Sequence, residues 1–224
     1  MSLYEQDQMS DRLILAILIS GSGSNLQAII DAIEVGRLNA SIASVVSNNP
    51  DAYGLQRAAK HGLPVKVIDH RDYSSRELYD AELRRHLESV APDYIVLAGY
   101  MRILSAGFVH AFEHRILNIH PALLPAYKGL DTHQRALDNA EKEHGVSIHL
   151  VTAELDDGPV LLQGRYSIDS GDSVSDLQAK GHQLEHQMYP AVLRWISEKK
   201  LFIDNHGRIH HEQTLLESPL QYYT

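Results

Sequence analysis

"LILAILISGSGSNLQAIID" (residues 13–31) joins an apolar run to an amphipathic stretch through a glycine-serine turn. The order is strand, Gly-rich turn, helix, which is how α/β proteins hold phosphate at a helix N-terminus. A dinucleotide fingerprint would read G-x-G-x-x-G, yet Gly21 and Gly23 are followed by Leu26 in the third glycine's place. The Lys-Ser/Thr ending of a nucleoside triphosphate loop is missing too. The turn therefore suits a phosphomonoester. Ser24 and Gln27 form an S-x-x-Q pair, which predicts a helix capped by Ser24. A tight strand-to-helix turn with a good cap is the plain alternative, and the turn alone leaves both open.

Working outward, the same alternation recurs. "SIASVVS" (41–47) precedes a helix near 52–61, and "PVKVI" (64–68) precedes one over 74–90. "YIVLAG" (94–99) leads to a short helix near 105–112, followed by "RILNIH" (115–120). Nearly all-apolar strands spaced by helices predict an α/β fold with a mostly parallel, doubly wound sheet, Rossmann-like in its N-terminal half. After 145 the pattern changes. "GVSIHLVT" (145–152) and "GPVLLQGRYSI" (158–168) lie close enough to be antiparallel neighbours. A long C-terminal helix follows over about 173–198, with Val174, Leu177, Leu184, Met188, Val192 and Trp195 mostly three or four apart. Pro190 is expected to kink or interrupt it. The predicted organisation is a frayed extension over 1–11, a single domain over 12–203 and a polar, His-rich tail over 204–224. Within the domain the pattern divides into about 12–112, which carries the glycine-serine turn, and about 113–203.

A chain of 224 residues, 44% hydrophobic, suits one sizeable α/β domain. Its net charge of −9, without a Lys/Arg-rich run, argues against nucleic acid as the main ligand. Cysteine is absent, which removes disulfides, thiolate zinc sites and cysteine nucleophiles, and fits a reducing compartment. No apolar run approaches a membrane span, and "MSLYEQDQMSDR" lacks the basic-then-apolar order of a signal peptide. A cytoplasmic protein is expected, with no membrane partner.

Ligands of open α/β sheets sit beyond the carboxyl ends of the strands. In "LNIHPALLP" (117–125), Asn118 and His120 end a buried strand and point to the same side of it. An amide donor and an imidazole facing one pocket suit a developing oxyanion. A strand-end histidine bonded to a nearby carbonyl is the alternative. "ELDDGPV" (154–160) is first of all a turn, with Asp156 and Asp157 before Gly158. A carboxylate placed beside His120 would favour the charged imidazole. Ser147 and His149 alternate with the apolar side of their strand and could support Asn118 from the side, and a buried, bonded histidine explains His149 just as well.

Together "ISGSGSNLQAI", "AGYMRILS", "LNIHPALLPAYKGLDTHQRAL" and "HGVSIHLVTAELDDGPVLLQ" resemble, in order and spacing, the glycinamide ribonucleotide transformylase family of folate-dependent formyltransferases, from about residue 13 to about 203. The resemblance implies formyl transfer from 10-formyltetrahydrofolate to the amine of glycinamide ribonucleotide in purine synthesis, with small-molecule substrates, no metal, and a monomer or homodimer. It implies Asn118, His120 and Asp156 as the catalytic trio. Gly23, Ser24, Asn25 and Glu185 would hold the ribonucleotide. Arg76, Met101, Arg102, Ile103 and Leu104, with Asn118, would line the folate site; the resemblance also implies about 12–112 as the phosphate- and ribonucleotide-binding half and about 113–203 as the folate-binding and catalytic half. His182 stands where the family often has Gln, and Asp131 where His is common, in a loop expected to be mobile. The missing third glycine then makes sense: a ribose monophosphate needs no helix packed close beneath a pyrophosphate.

Several of these residues have plainer roles open to them. Arg76 could pair with Asp80 one turn on, Arg102 could cap the short helix, and Met101, Ile103 and Leu104 could be core. His182 and His186, with Glu185, suggest a metal site, although 14 histidines make such spacings common. A formyltetrahydrofolate deformylase shares the Asn-x-His and Asp elements. So does a methionyl-tRNA formyltransferase, which would need an added tRNA-binding domain. A non-enzymatic ribonucleotide or folate sensor is a third class.

Overall fold

The computed structural model describes residues 12–223. The extension expected over 1–11 lies outside them. In chain order the first half runs β1 (Leu13–Ile19), α1 (Ser24–Glu34), β2 (Ala40–Ser47), α2 (Tyr53–Lys60), β3 (Val65–Val67), α3 (Arg76–Val90), β4 (Tyr94–Leu97) and α4 (Ala106–Ala111). The second half runs β5 (Ile116–His120), α5 (Thr132–Asp138), β6 (Glu143–Leu150), β7 (Val160–Ser167), α6 (Val174–Ser197), β8 (Leu201–Ile203), β9 (Ile209–His211), β10 (Thr214–Leu215) and β11 (Leu220–Tyr222).

An eight-stranded sheet has the order β11-β7-β6-β5-β4-β1-β2-β3. β3, β2, β1, β4 and β5 are parallel, whereas β6 runs antiparallel to both β5 and β7. The strand order reverses beside β1, so the loops after β1 and β4 open into a common crevice. Both faces are covered. Along β1, Leu15, Ile17 and Ile19 turn to one side, with Leu26, Ile29 and Ile30 of α1 and Leu184, Met188, Tyr189 and Val192 of α6. Ala16 and Leu18 turn to the other, with Tyr79, Leu83 and Leu87 of α3 and Phe108 and Val109 of α4. Among the described residues no helix is long and apolar enough to cross a membrane.

Three local expectations need correction. Ser24 is not the N-cap of α1: Gly23 takes that place at φ 68°, and no side chain caps the helix. A Cβ on Gly23 would lie 2.6 Å from the Gly54 Cα, so close contact with the first turn of α2 fixes the turn here rather than a serine cap. The capping box occurs instead on α6, between Ser173 and Asp176. Second, α6 runs on through Pro190, so of the kink or interruption expected there the interruption does not occur. A proline inside a helix costs roughly 3 kcal/mol; the fully buried Met188, Tyr189, Val192 and Leu193 around it offset that loss. Third, the tail is more ordered than its polarity predicts. β8, β9 and β10 form a small sheet, and β11 extends the main sheet beside β7. Leu216, Leu220 and Tyr222 pack onto the first core, which gives this polar segment its anchor.

Candidate active site

On β5 and β6 the alternation of side chains separates core from chemistry. Leu117 and Ile119 join the first core with Val146, Ile148 and Leu150. Asn118, His120, Ser147 and His149 therefore project from the opposite side. The antiparallel register sets Asn118 opposite His149 and His120 opposite Ser147.

His120 is buried, and its Nε2 donates to the Tyr127 carbonyl at 2.8 Å. Its Nδ1 lies 3.4 Å from Oδ2 of Asp156. Asp156 comes from the turn after β6, at φ 50°, and its Oδ2 accepts the Gly129 N–H at 2.9 Å. Its Oδ1 is 3.7 Å from His149 Nε2, and Asn118 Nδ2 lies 3.1 Å from that same nitrogen. Thus the amide, imidazole and carboxylate expected from two separate crossings of the chain do meet at one point. Asp156 is nearly as buried as His120, with side chains 8% and 7% exposed, so their attraction is little screened.

The segment after β5 is built to cover this point. Ser147 Oγ donates to the Ala122 carbonyl and accepts the Leu124 N–H, while Gln163 Nε2 donates to the Leu124 carbonyl. Thr132 Oγ1 donates to the Pro121 carbonyl, and Arg135 donates to the Lys128 carbonyl. Asp131 caps the following helix through its backbone only, at φ 57°. His144 is enclosed by the rings of Tyr127, His133 and Tyr166. Burial pushes its imidazole down, and His133 is pushed down to about 4.

The first loop lies close by. β1 pairs with β4 at Leu18–Leu97, and β4 pairs with β5 at Leu97–Asn118. Two strand spacings, roughly 10 Å, therefore separate the end of β1 from Asn118. Asn25 Nδ2 donates to Glu185 Oε2 at 2.7 Å, both residues being buried, so α6 is tied to the glycine turn. Arg57 Nε donates to the Ser22 carbonyl from α2. Ser20 Oγ accepts the Met101 N–H at 2.8 Å and donates to Asn48, fastening the loops after β1, β2 and β4 together.

The loop after β4 is mixed in character. Met101 and Ile103 are 72% and 55% exposed, as a ligand-lining role requires. Leu104 is buried in the second core, so its side chain takes the plainer role. Arg102 stacks over the Tyr79 ring, and its Nε is buried with no hydrogen-bond partner among the described residues. It does not cap α4, because Ser105 does so through the Phe108 N–H. Arg76 is exposed at the start of α3, and Asp80, buried, accepts the Ser105 N–H instead of pairing with it. His182 and His186 stack with rings 6.0 Å apart. Among the described residues, no three His, Asp or Glu side chains are grouped to hold a metal ion.

Sequence reasoning missed Tyr127, Gly129, Ser20 and Asn48. The first two act through backbone atoms, for which side-chain identity carries no signal.

A phosphate-type turn, a mostly parallel sheet and an Asn–His–Asp point at its strand ends define one class of protein. The chain belongs to the formyl transferase family, whose model matches residues 13–193. Among its relatives is the phosphoribosylglycinamide formyltransferase of Escherichia coli strain K12, 48% identical over 187 residues, 84% of this chain and 88% of that one. The phosphoribosylglycinamide formyltransferase of Coxiella burnetii superposes with a TM-score of 0.89 at 43% identity, covering 95% of this chain and all of that one. The trifunctional purine biosynthetic protein adenosine-3 of Drosophila melanogaster is 45% identical over 181 residues, although the match spans only 13% of its length.

Proposed function

We propose that this chain is a phosphoribosylglycinamide formyltransferase of purine biosynthesis, acting in the cytoplasm and taking its formyl group from 10-formyltetrahydrofolate. The observation that carries the reading is the meeting of Asn118, His120 and Asp156 two strands away from the phosphate-type turn.

In this reading the Gly23, Ser24 and Asn25 backbone binds the ribonucleotide phosphate, aided by the α1 dipole. Glu185, which accepts from Asn25, contacts the same substrate in this reading. Arg76 and Arg102 suit folate carboxylates, and exposed Met101 and Ile103 suit the pterin face. The neutral amine of the ribonucleotide attacks the formyl carbon; a new C–N bond forms as the carbonyl electrons move onto oxygen. The oxyanion then collapses, breaking the bond to the folate nitrogen, which receives the proton that the attacking nitrogen loses.

Asn118 offers an Nδ2 hydrogen to the oxyanion. His120 Nε2 is engaged by the Tyr127 carbonyl, so the Nδ1 edge of the ring, which also faces Asp156, is the one that meets the substrate in this reading. Asp156, 3.4 Å from His120 Nδ1, relays the proton from the attacking nitrogen toward the folate nitrogen. Loss of 10-formyltetrahydrofolate, followed spectrophotometrically with and without glycinamide ribonucleotide, tests the reading. Acceptor-dependent loss is expected; acceptor-independent loss would mean a hydrolase, and no loss a binding protein.

A further inference from the structure

His149 is 2% exposed, so almost none of its ring is open to a ligand. It sits between four groups. Its Nδ1 lies 2.7 Å from the Leu150 carbonyl, and its Nε2 is 3.1 Å from Asn118 Nδ2 and 3.7 Å from Asp156 Oδ1, with His120 beyond. A carbonyl only accepts, so Nδ1 carries the hydrogen. A neutral ring then presents a lone pair at Nε2. Only the NH₂ end of Asn118 can face that lone pair; a turned amide would set two acceptors against each other.

We propose that His149 is a positioning residue that fixes which end of the Asn118 amide faces the reaction, through a neutral, Nδ1-protonated imidazole. The inference rests on the formyl-transfer reading for its kinetic part only. The arrangement commits one Nδ2 hydrogen to His149 and leaves the second, in a fixed direction, for the oxyanion. Protonation of His149 would turn Nε2 into a donor and drive the amide over, replacing that hydrogen by an oxygen. The charged groups facing the ring are Asp156 and His120: the carboxylate favours a second proton and His120 opposes it. Burial dominates and pushes the His149 imidazole down. Neutral pH therefore keeps the amide in its working orientation.

Two measurements test this. Long-range ¹H–¹⁵N correlation on the intact labelled protein at neutral pH should report a neutral His149 with hydrogen on Nδ1; an Nε2-protonated ring or an imidazolium overturns the proposal, whatever the protein catalyses. In turnover, His149→Leu should lower kcat by about ten- to a hundredfold with little change in either KM, as expected for a misaligned donor. His149→Gln, whose Oε1 can accept where Nε2 does, should recover most of that loss at an equal melting temperature. An undiminished kcat in His149→Leu overturns the proposal, and so does a His149→Gln that falls as far. Failure of the unmodified protein to transfer formyl would instead count against the proposed reaction, and the tautomer measurement would still decide this one.

Discussion

The Nδ1 of His120 and the Oδ2 of Asp156 lie 3.4 Å apart in a nearly dry environment, although 35 residues and a full strand separate them in the chain. The contact depends on the turn after β6 holding Asp156 at φ 50° and on the Gly129 N–H fixing its carboxylate. Asp156→Asn keeps the size of the side chain but removes the carboxylate that faces His120, so kcat should drop by about a hundredfold or more at an equal melting temperature. A kcat equal to that of the unmodified protein would remove Asp156 from this role.

Gly23 is a site of close approach. Its φ of 68° and the 2.6 Å that would separate an added Cβ from the Gly54 Cα leave no room for a side chain. Gly23→Ala should destabilise the fold by about 1–3 kcal/mol and weaken ribonucleotide binding more than folate binding. Denaturant midpoints and the KM for each substrate check both parts.

The covering segment should respond to acid. His133 is held down at about 4, by burial first and then by His144, His182 and His120, against an ordinary value of 6.5. The unfolded chain takes up this proton more readily than the folded one. The stability linked to His133 is thus fully present above 6.5 and is lost as pH falls from there toward 4. His144 shifts in the same direction. Urea midpoints measured between about pH 7 and pH 4.5 should fall less steeply in His133→Gln than in the unmodified protein. Equal slopes would show that His133 does not contribute.

Much of the fold was legible because apolar runs and helical spacing report burial directly. The all-apolar β1 and the alternation of Ser147 and His149 with Val146, Ile148 and Leu150 place their faces without further help. Asn118 and His120 were legible for the same reason: two polar groups in phase on a buried strand. Tertiary contact decided what local pattern did not. The Ser24 cap gave way to the packing of Gly23 on Gly54, and Pro190 was carried by the buried side of α6. β11 joined the sheet because Leu220 and Tyr222 found the core. The Tyr127 carbonyl and the Gly129 N–H that orient His120 and Asp156 are backbone atoms of a folded segment, visible only once it is folded.

The account stands on an amide hydrogen delivered to a developing negative charge. Formyl transfer to glycinamide ribonucleotide by Asn118→Ala, measured beside its affinity for that ribonucleotide, addresses this most directly. Turnover about a hundred- to a thousandfold below the unmodified protein, with affinity for the ribonucleotide retained, is the expected result. An Asn118→Ala protein that turns over as fast as the unmodified one would contradict the account.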